Sequence, residues 1–168
     1  MILTRRLWDY MTERQAALDA TILQKAKFEP DLEDRKLAFF VEVAEFIKEW
    51  REEVKWWSVK PNDNGAIIEE AIDCKHFAAG IRLVRDFGGN MYEVIRNTHD
   101  NYELTYGKLN TAKDVRRVLR QLQRTDHETE ALAVIVYLLE HLGFTEADLR
   151  AAYDAKNAEN YQRVATGY

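Results

Sequence analysis

The chain has 168 residues, a size for one domain (1–168), and its 46% hydrophobic and 11% aromatic content supplies a core. A net charge of −5 counts against a surface that tracks nucleic-acid phosphates, so no nucleic-acid partner is expected. The single cysteine, Cys74, rules out an intramolecular disulfide and a Cys/His zinc cluster. No apolar run approaches the roughly 18 residues of a membrane span, and no signal-peptide pattern opens the chain, so the expectation is a cytoplasmic protein with no membrane partner.

Two prolines and seven glycines are few, which favours long helices over a sheet with many turns. Leu7, Met11, Leu18 and Ile22 mark the core side of a first helix over about residues 4–27. Pro30 ends it, and Asp31 caps a second helix that runs to about residue 56. Residues 58–65 (SVKPNDNG) read as a loop. A third helix follows from about residue 66 to 87 and stops at Gly88-Gly89. Residues 90–110 suggest one short helix and a loop. Thr111-x-x-Asp114 caps a short basic helix. Residues 129–142 (TEALAVIVYLLEHL) are apolar almost all round, which predicts burial in a core or an interface. Gly143 ends that helix, and Thr145-x-x-Asp148 caps a last one reaching about residue 163. The fold class is an all-α bundle.

Two acidic pairs stand out, Glu42-x-x-Glu45 and Glu70-x-x-Asp73. Spacing i, i+3 puts both carboxylates of a pair on one helix face. Glu and Asp are abundant, and Glu49-x-x-Glu52 repeats the spacing, so the ordinary explanation of any one pair is a solvated face. Helical phase adds weight. At about 100° per residue, Glu70, Asp73, Phe77, Ile81 and Val84 share an arc, with Lys75, Arg82 and Arg85 opposite. Carboxylates among apolar residues need a cation or a donor. On the earlier helix, Glu42, Glu45, Glu49 and Glu52 line a narrow strip beside the apolar arc of Phe39, Val43, Phe46 and Trp50. Four carboxylates on two facing helices form an all-oxygen pocket suited to Mg²⁺.

The last helix carries Leu149, Tyr153, Lys156, Asn160 and Arg163 on one stripe, apolar first and basic later. A rim of snorkelling side chains explains such a stripe; opposite an acidic metal pocket, the same groups suit a polyphosphate. Other features are weaker. Asp73-x-x-His76 is half of a di-iron signature with no second half. His76 alone fits a satisfied, partly buried histidine. Cys74 fits a small core residue. The paired indoles of Trp56 and Trp57 sit beside a loop, where one can stack on a base.

Taken in order, four segments resemble a known family. They are Phe40-Val-Glu-Val-Ala-Glu45, Val54-Lys-Trp-Trp-Ser58, Ile68-Glu-Glu-Ala-Ile-Asp-Cys-Lys-His-Phe77, and Lys156-Asn-Ala-Glu-Asn-Tyr-Gln-Arg163 with Thr166-Gly-Tyr168. Over roughly residues 15–168 the chain resembles the dimeric all-α dUTPases, relatives of the MazG-like nucleotide pyrophosphatases. It departs from them in Val54 and Trp56, where the family has Phe, and in Cys74-Lys75, where it has Gly-Leu. The resemblance implies hydrolysis of dUTP, with dUDP a further substrate, to dUMP with Mg²⁺ as cofactor (Mn²⁺ substituting) in a homodimer. It implies Glu42, Glu45, Glu70 and Asp73 as metal ligands, with Glu45 or Glu42 orienting or deprotonating the attacking water. Lys55, Lys156, Asn160 and Arg163 are the implied phosphate ligands. Gln15 is implied at the uracil edge, Trp57 as a wall and His76 near the sugar. Two other expectations compete: a sibling enzyme acting on dCTP or a damaged nucleotide, and a non-enzymatic helical protein whose acidic stripes bind a basic partner.

Overall fold

The computed structural model describes residues 1–85 and 90–167, and among these it contains eight helices and no strand. They are α1 (Arg5–Leu23), α2 (Leu32–Glu49), α3 (Arg51–Val54), α4 (Asn64–Val84), α5 (Met91–Tyr106), α6 (Ala112–Leu122), α7 (Glu128–His141) and α8 (Glu146–Thr166). Side-chain caps define most starts. Thr4 accepts from the Leu7 amide, and Asp63 accepts from those of Gly65 and Ala66. Full capping boxes pair Asp31 with Asp34, Thr111 with Asp114 and Thr145 with Asp148. The expected helix stop at Gly88-Gly89 and the terminal Tyr168 lie outside the described residues. Among the described residues, no helix is long and apolar enough to cross a membrane.

Two elements differ from the sequence expectation. The second helix does not run unbroken to residue 56. It ends at Trp50 (φ −75°, ψ 64°), and α3 is a single turn. The Trp50 ring is fully buried, edge-on to Phe46 at 6.1 Å, so packing of the indole sets the break. The segment 90–110 holds a 16-residue helix, α5, rather than a short one. Its buried stripe of Met91, Tyr92, Ile95, His99 and Tyr102 packs on α7, but polar neighbours dilute that stripe in the sequence.

Helix α7 is the centre of the bundle. Every residue from Ala131 to Leu139 is buried, against α5, α4, α6 and α2 of the same chain. Its all-round apolarity is therefore satisfied internally and gives no argument for a dimer.

Helix α4 is also enclosed, by α2, α1, α8 and α7. Arg35, near the start of α2, reaches the carbonyl of Gly80, near the end of α4, while Glu42 meets Glu70 and Asp73. The two helices thus run antiparallel. Enclosure overturns the simple phase argument for α4. Lys75, assigned to the side opposite the carboxylates, is buried, its ammonium 4.2 Å from the Trp8 ring and 3.5 Å from the Thr12 hydroxyl. Phe77 and Val84, on the carboxylate arc, are partly exposed.

Burial first, then Arg82, push the Lys75 ammonium down to about 7. A lysine whose folded pKa lies below its unfolded value opposes folding while protonated, and that cost fades as pH rises from about 7 towards 10.5. Lys75→Met keeps the volume and removes the charge. In urea unfolding it should gain about 1–2 kcal/mol near pH 6.5, shrinking towards pH 9. A loss of stability at the lower pH would show that the contact with Trp8 outweighs desolvation.

Candidate active site

The antiparallel pairing of α2 and α4 brings three carboxylates together. One oxygen each from Glu42, Glu70 and Asp73 lies within 4.8 Å of the others, and all three side chains are half-buried. Their pKa values are raised. Burial is the main cause for each, and mutual repulsion adds to it for Glu42 and Glu70. Glu45 is one turn further along α2, outside this trio, and its carboxylate is ion-paired with Lys48. Glu49 is buried and held by Arg51. The strip of glutamates is thus broken by basic side chains, which a glutamate-only reading of the sequence passes over.

From the third side comes α8. Lys156 is buried, with its ammonium 2.8 Å from both Asp73 Oδ2 and Glu69 Oε1. Burial alone would lower its pKa, but hydrogen bonds to Asp73 and Glu69 more than offset this and raise it. The only signal for Glu69 in the sequence is its place beside Glu70. Arg163 Nη2 lies 2.5 Å from Glu159 Oε1, and Asn160 is half-buried on the same helix. Of the expected phosphate ligands, Lys156 therefore faces the carboxylates directly. Lys55 is the C-cap of α3, and Trp57 is 67% exposed on the segment just beyond, edge-on to Trp56 at 5.6 Å.

Gln15 and His76 are both buried and hydrogen-bonded to each other, Gln15 Oε1 to His76 Nδ1. Burial, then Lys75 and Lys156, hold His76 down to about 3, so the ring is neutral and Nδ1–H donates. The ring stacks on Tyr153 at 4.8 Å, one turn before Lys156 on α8, and the Tyr153 hydroxyl donates to the Met11 carbonyl. Gln15 Nε2 donates to Asp19 Oδ1 at 2.6 Å, and Asp19 Oδ2 holds Arg35 at 2.8 Å. Gly80 leaves room for that guanidinium, since a Cβ there would stand 2.9 Å from Arg35 Nη1. A continuous polar chain thus ties α1, α2 and α4 together next to the carboxylates.

The donor set is all oxygen and anionic, the chemistry a hard divalent cation requires. Raised carboxyl pKa values mean that the folded protein binds protons more readily than the unfolded chain, so ionising these groups lowers stability as pH rises through their titration. In chelator near pH 8, Glu70→Gln should therefore raise Tm above wild type. Added Mg²⁺ should then stabilise the variant less than wild type. A lower Tm in chelator would mean that Glu70 is held by attraction rather than crowded by repulsion.

A family model described as dUTPase matches residues 7–168. No curated protein matches the chain. The match runs from the first turn of α1 through α8, and includes the carboxylates of α2 and α4 and the lysine of α8. The chain belongs to the all-α dUTPase family, nucleotide diphosphatases that hydrolyse dUTP.

Proposed function

We propose that the chain hydrolyses dUTP to dUMP and pyrophosphate with Mg²⁺, for which Mn²⁺ can substitute, held by Glu42, Glu70 and Asp73 and completed by Glu45. The observation that carries this is the convergence of three half-buried carboxylates opposite a buried lysine, within a chain of the dUTPase family. Bound there, the ion neutralises phosphate oxygens and lowers the pKa of a water. Glu45 Oε2, released from Lys48, takes the proton of the attacking water, with Glu42 the alternative for this role. Lys156, paired with Asp73 and Glu69, would be free to hold phosphate oxygens where a cation took over the charge of Asp73. Arg163, Asn160 and Lys55 hold the remaining phosphate oxygens.

Gln15 reads the uracil edge, its amide fixed by His76 on one side and Asp19 on the other. Trp57 forms a wall, and His76 meets the sugar. Rejecting thymine requires a clash with its 5-methyl group, because a missing apolar contact discriminates by only about 1–3 kcal/mol. dUDP is a second substrate of the same site, and the setting is cytoplasmic. A homodimer is part of the proposal. Leu37 and Val41 on α2 and Phe77, Leu83 and Val84 on α4 are exposed apolar side chains that a second copy would cover.

Pyrophosphate release measured across dUTP, dTTP, dCTP and UTP tests the assignment. dUTP should be preferred, and equal rates on dCTP would point to the sibling activity instead. Glu45→Gln and Asp73→Asn should each lower turnover by at least about a hundredfold in folded protein. Near-wild-type turnover at saturating Mg²⁺ in either would remove that residue from the site. Arg163→Ala should lower turnover by about ten- to a hundredfold, the equivalent of one charge-assisted hydrogen bond, while a solvated rim would leave it within about twofold. Sedimentation should give about twice 19.7 kDa; a species of the single-chain mass at micromolar concentration contradicts the dimer.

A further inference from the structure

A second group of metal-type donors lies on α5, with no part in the proposed chemistry. His99 is fully buried. Its Nε2 is 2.7 Å from Glu140 Oε2 on α7, so Nε2–H donates to that carboxylate. The same carboxylate is fixed through Oε1, which accepts from the Ile2 amide. The other ring nitrogen, Nδ1, is buried and has no hydrogen-bond partner. It points at two carboxylates of its own helix, Asp100 Oδ1 at 3.7 Å and Glu103 Oε2 at 3.9 Å, both too far for a hydrogen bond. One donor atom from each of His99, Asp100 and Glu103 lies within 4.8 Å of the other two.

We propose that His99, Asp100 and Glu103 form a second cation site, for a divalent transition-metal ion of the Zn²⁺ type. Three features carry the proposal. Glu140 and the imidazole make the carboxylate–histidine arrangement that fixes the ring and keeps Nδ1, which has no hydrogen-bond partner, beside the other two donors. The i, i+4 spacing of His99 and Glu103 puts their donors on one helix face, with Asp100 at its edge. The distances also suit the ion. With bonds of about 2.0–2.2 Å on a tetrahedral ion, neighbouring donors stand about 3.3–3.6 Å apart. Asp100 and Glu103 side chains, each 54% exposed, need move only slightly to close that gap. Three protein ligands leave a position for water, and Glu103 and Glu140 also border an open cavity of about 360 Å³. A mixed imidazole and carboxylate set favours Zn²⁺, Co²⁺ or Ni²⁺ over Mg²⁺, so the two sites differ in the ion they select.

The test uses the whole chain with Mg²⁺ in excess and Zn²⁺ as the titrant. The readout is the long-range ¹H–¹⁵N spectrum of the histidine side chains. Added Zn²⁺ should shift His99 Nδ1 at one equivalent while Nε2 keeps its proton. Because buried His99 is a poor place to substitute, the variant is Asp100→Asn with Glu103→Gln, on exposed side chains. It should weaken the Zn²⁺ response of His99 at least tenfold and leave dUTP hydrolysis in Mg²⁺ unchanged. The proposal is overturned if millimolar Zn²⁺ leaves the His99 Nδ1 resonance in place, or if the double variant responds as wild type does.

Discussion

Repulsion among Glu42, Glu70 and Asp73, set against the ammonium of Lys156, is the constraint around which α2, α4 and α8 are arranged. Taking carboxylates partly out of water without a cation is costly, and three in one place compound the cost. Lys156 meets part of it, at 2.8 Å from Asp73, and is itself buried in doing so. A folded protein keeps such a cluster when its excess negative charge has a use. A divalent ion with a polyphosphate is the partner whose charge and donor preferences suit both halves of the site.

The rest of the bundle keeps those helices in register. The chain of hydrogen bonds from His76 through Gln15 and Asp19 to Arg35 and the Gly80 carbonyl links three helices beside the carboxylates. The network is not fully satisfied, since His76 Nε2 and Arg35 Nε are buried without a hydrogen-bond partner, so its role is to fix the relative geometry of the helices more than to add stability. Behind it, α7 fills the centre with aliphatic side chains and leaves the polar chemistry to the helices around it.

Much of this is legible in the sequence, for definite reasons. Capping boxes at Asp31, Thr111 and Thr145 are local, so three helix starts could be read directly. The i, i+3 spacing of Glu70 and Asp73 is also local. What was not legible depends on neighbours. Lys75 looks solvent-facing on an isolated helix, but α4 has helices on several sides and buries it. Glu69 becomes part of the site only because α8 places Lys156 over it. Lys48 follows Glu45 at a spacing anyone can count, yet which of two partners a glutamate chooses, a lysine or an ion, is decided by the surroundings. The cluster at His99 has no meaning until Glu140, on a different helix, fixes the ring.

The most direct test of the central claim is a crystal structure of the chain with Mg²⁺ and the non-hydrolysable α,β-imido analogue of dUTP. The account predicts Mg²⁺ bound by carboxylate oxygens of Glu42, Glu70 and Asp73 at about 2.0–2.1 Å. It also predicts Lys156 withdrawn from Asp73 to a phosphate oxygen. Mg²⁺ and nucleotide seated away from the meeting of α2, α4 and α8, with Lys156 still on Asp73, would contradict it.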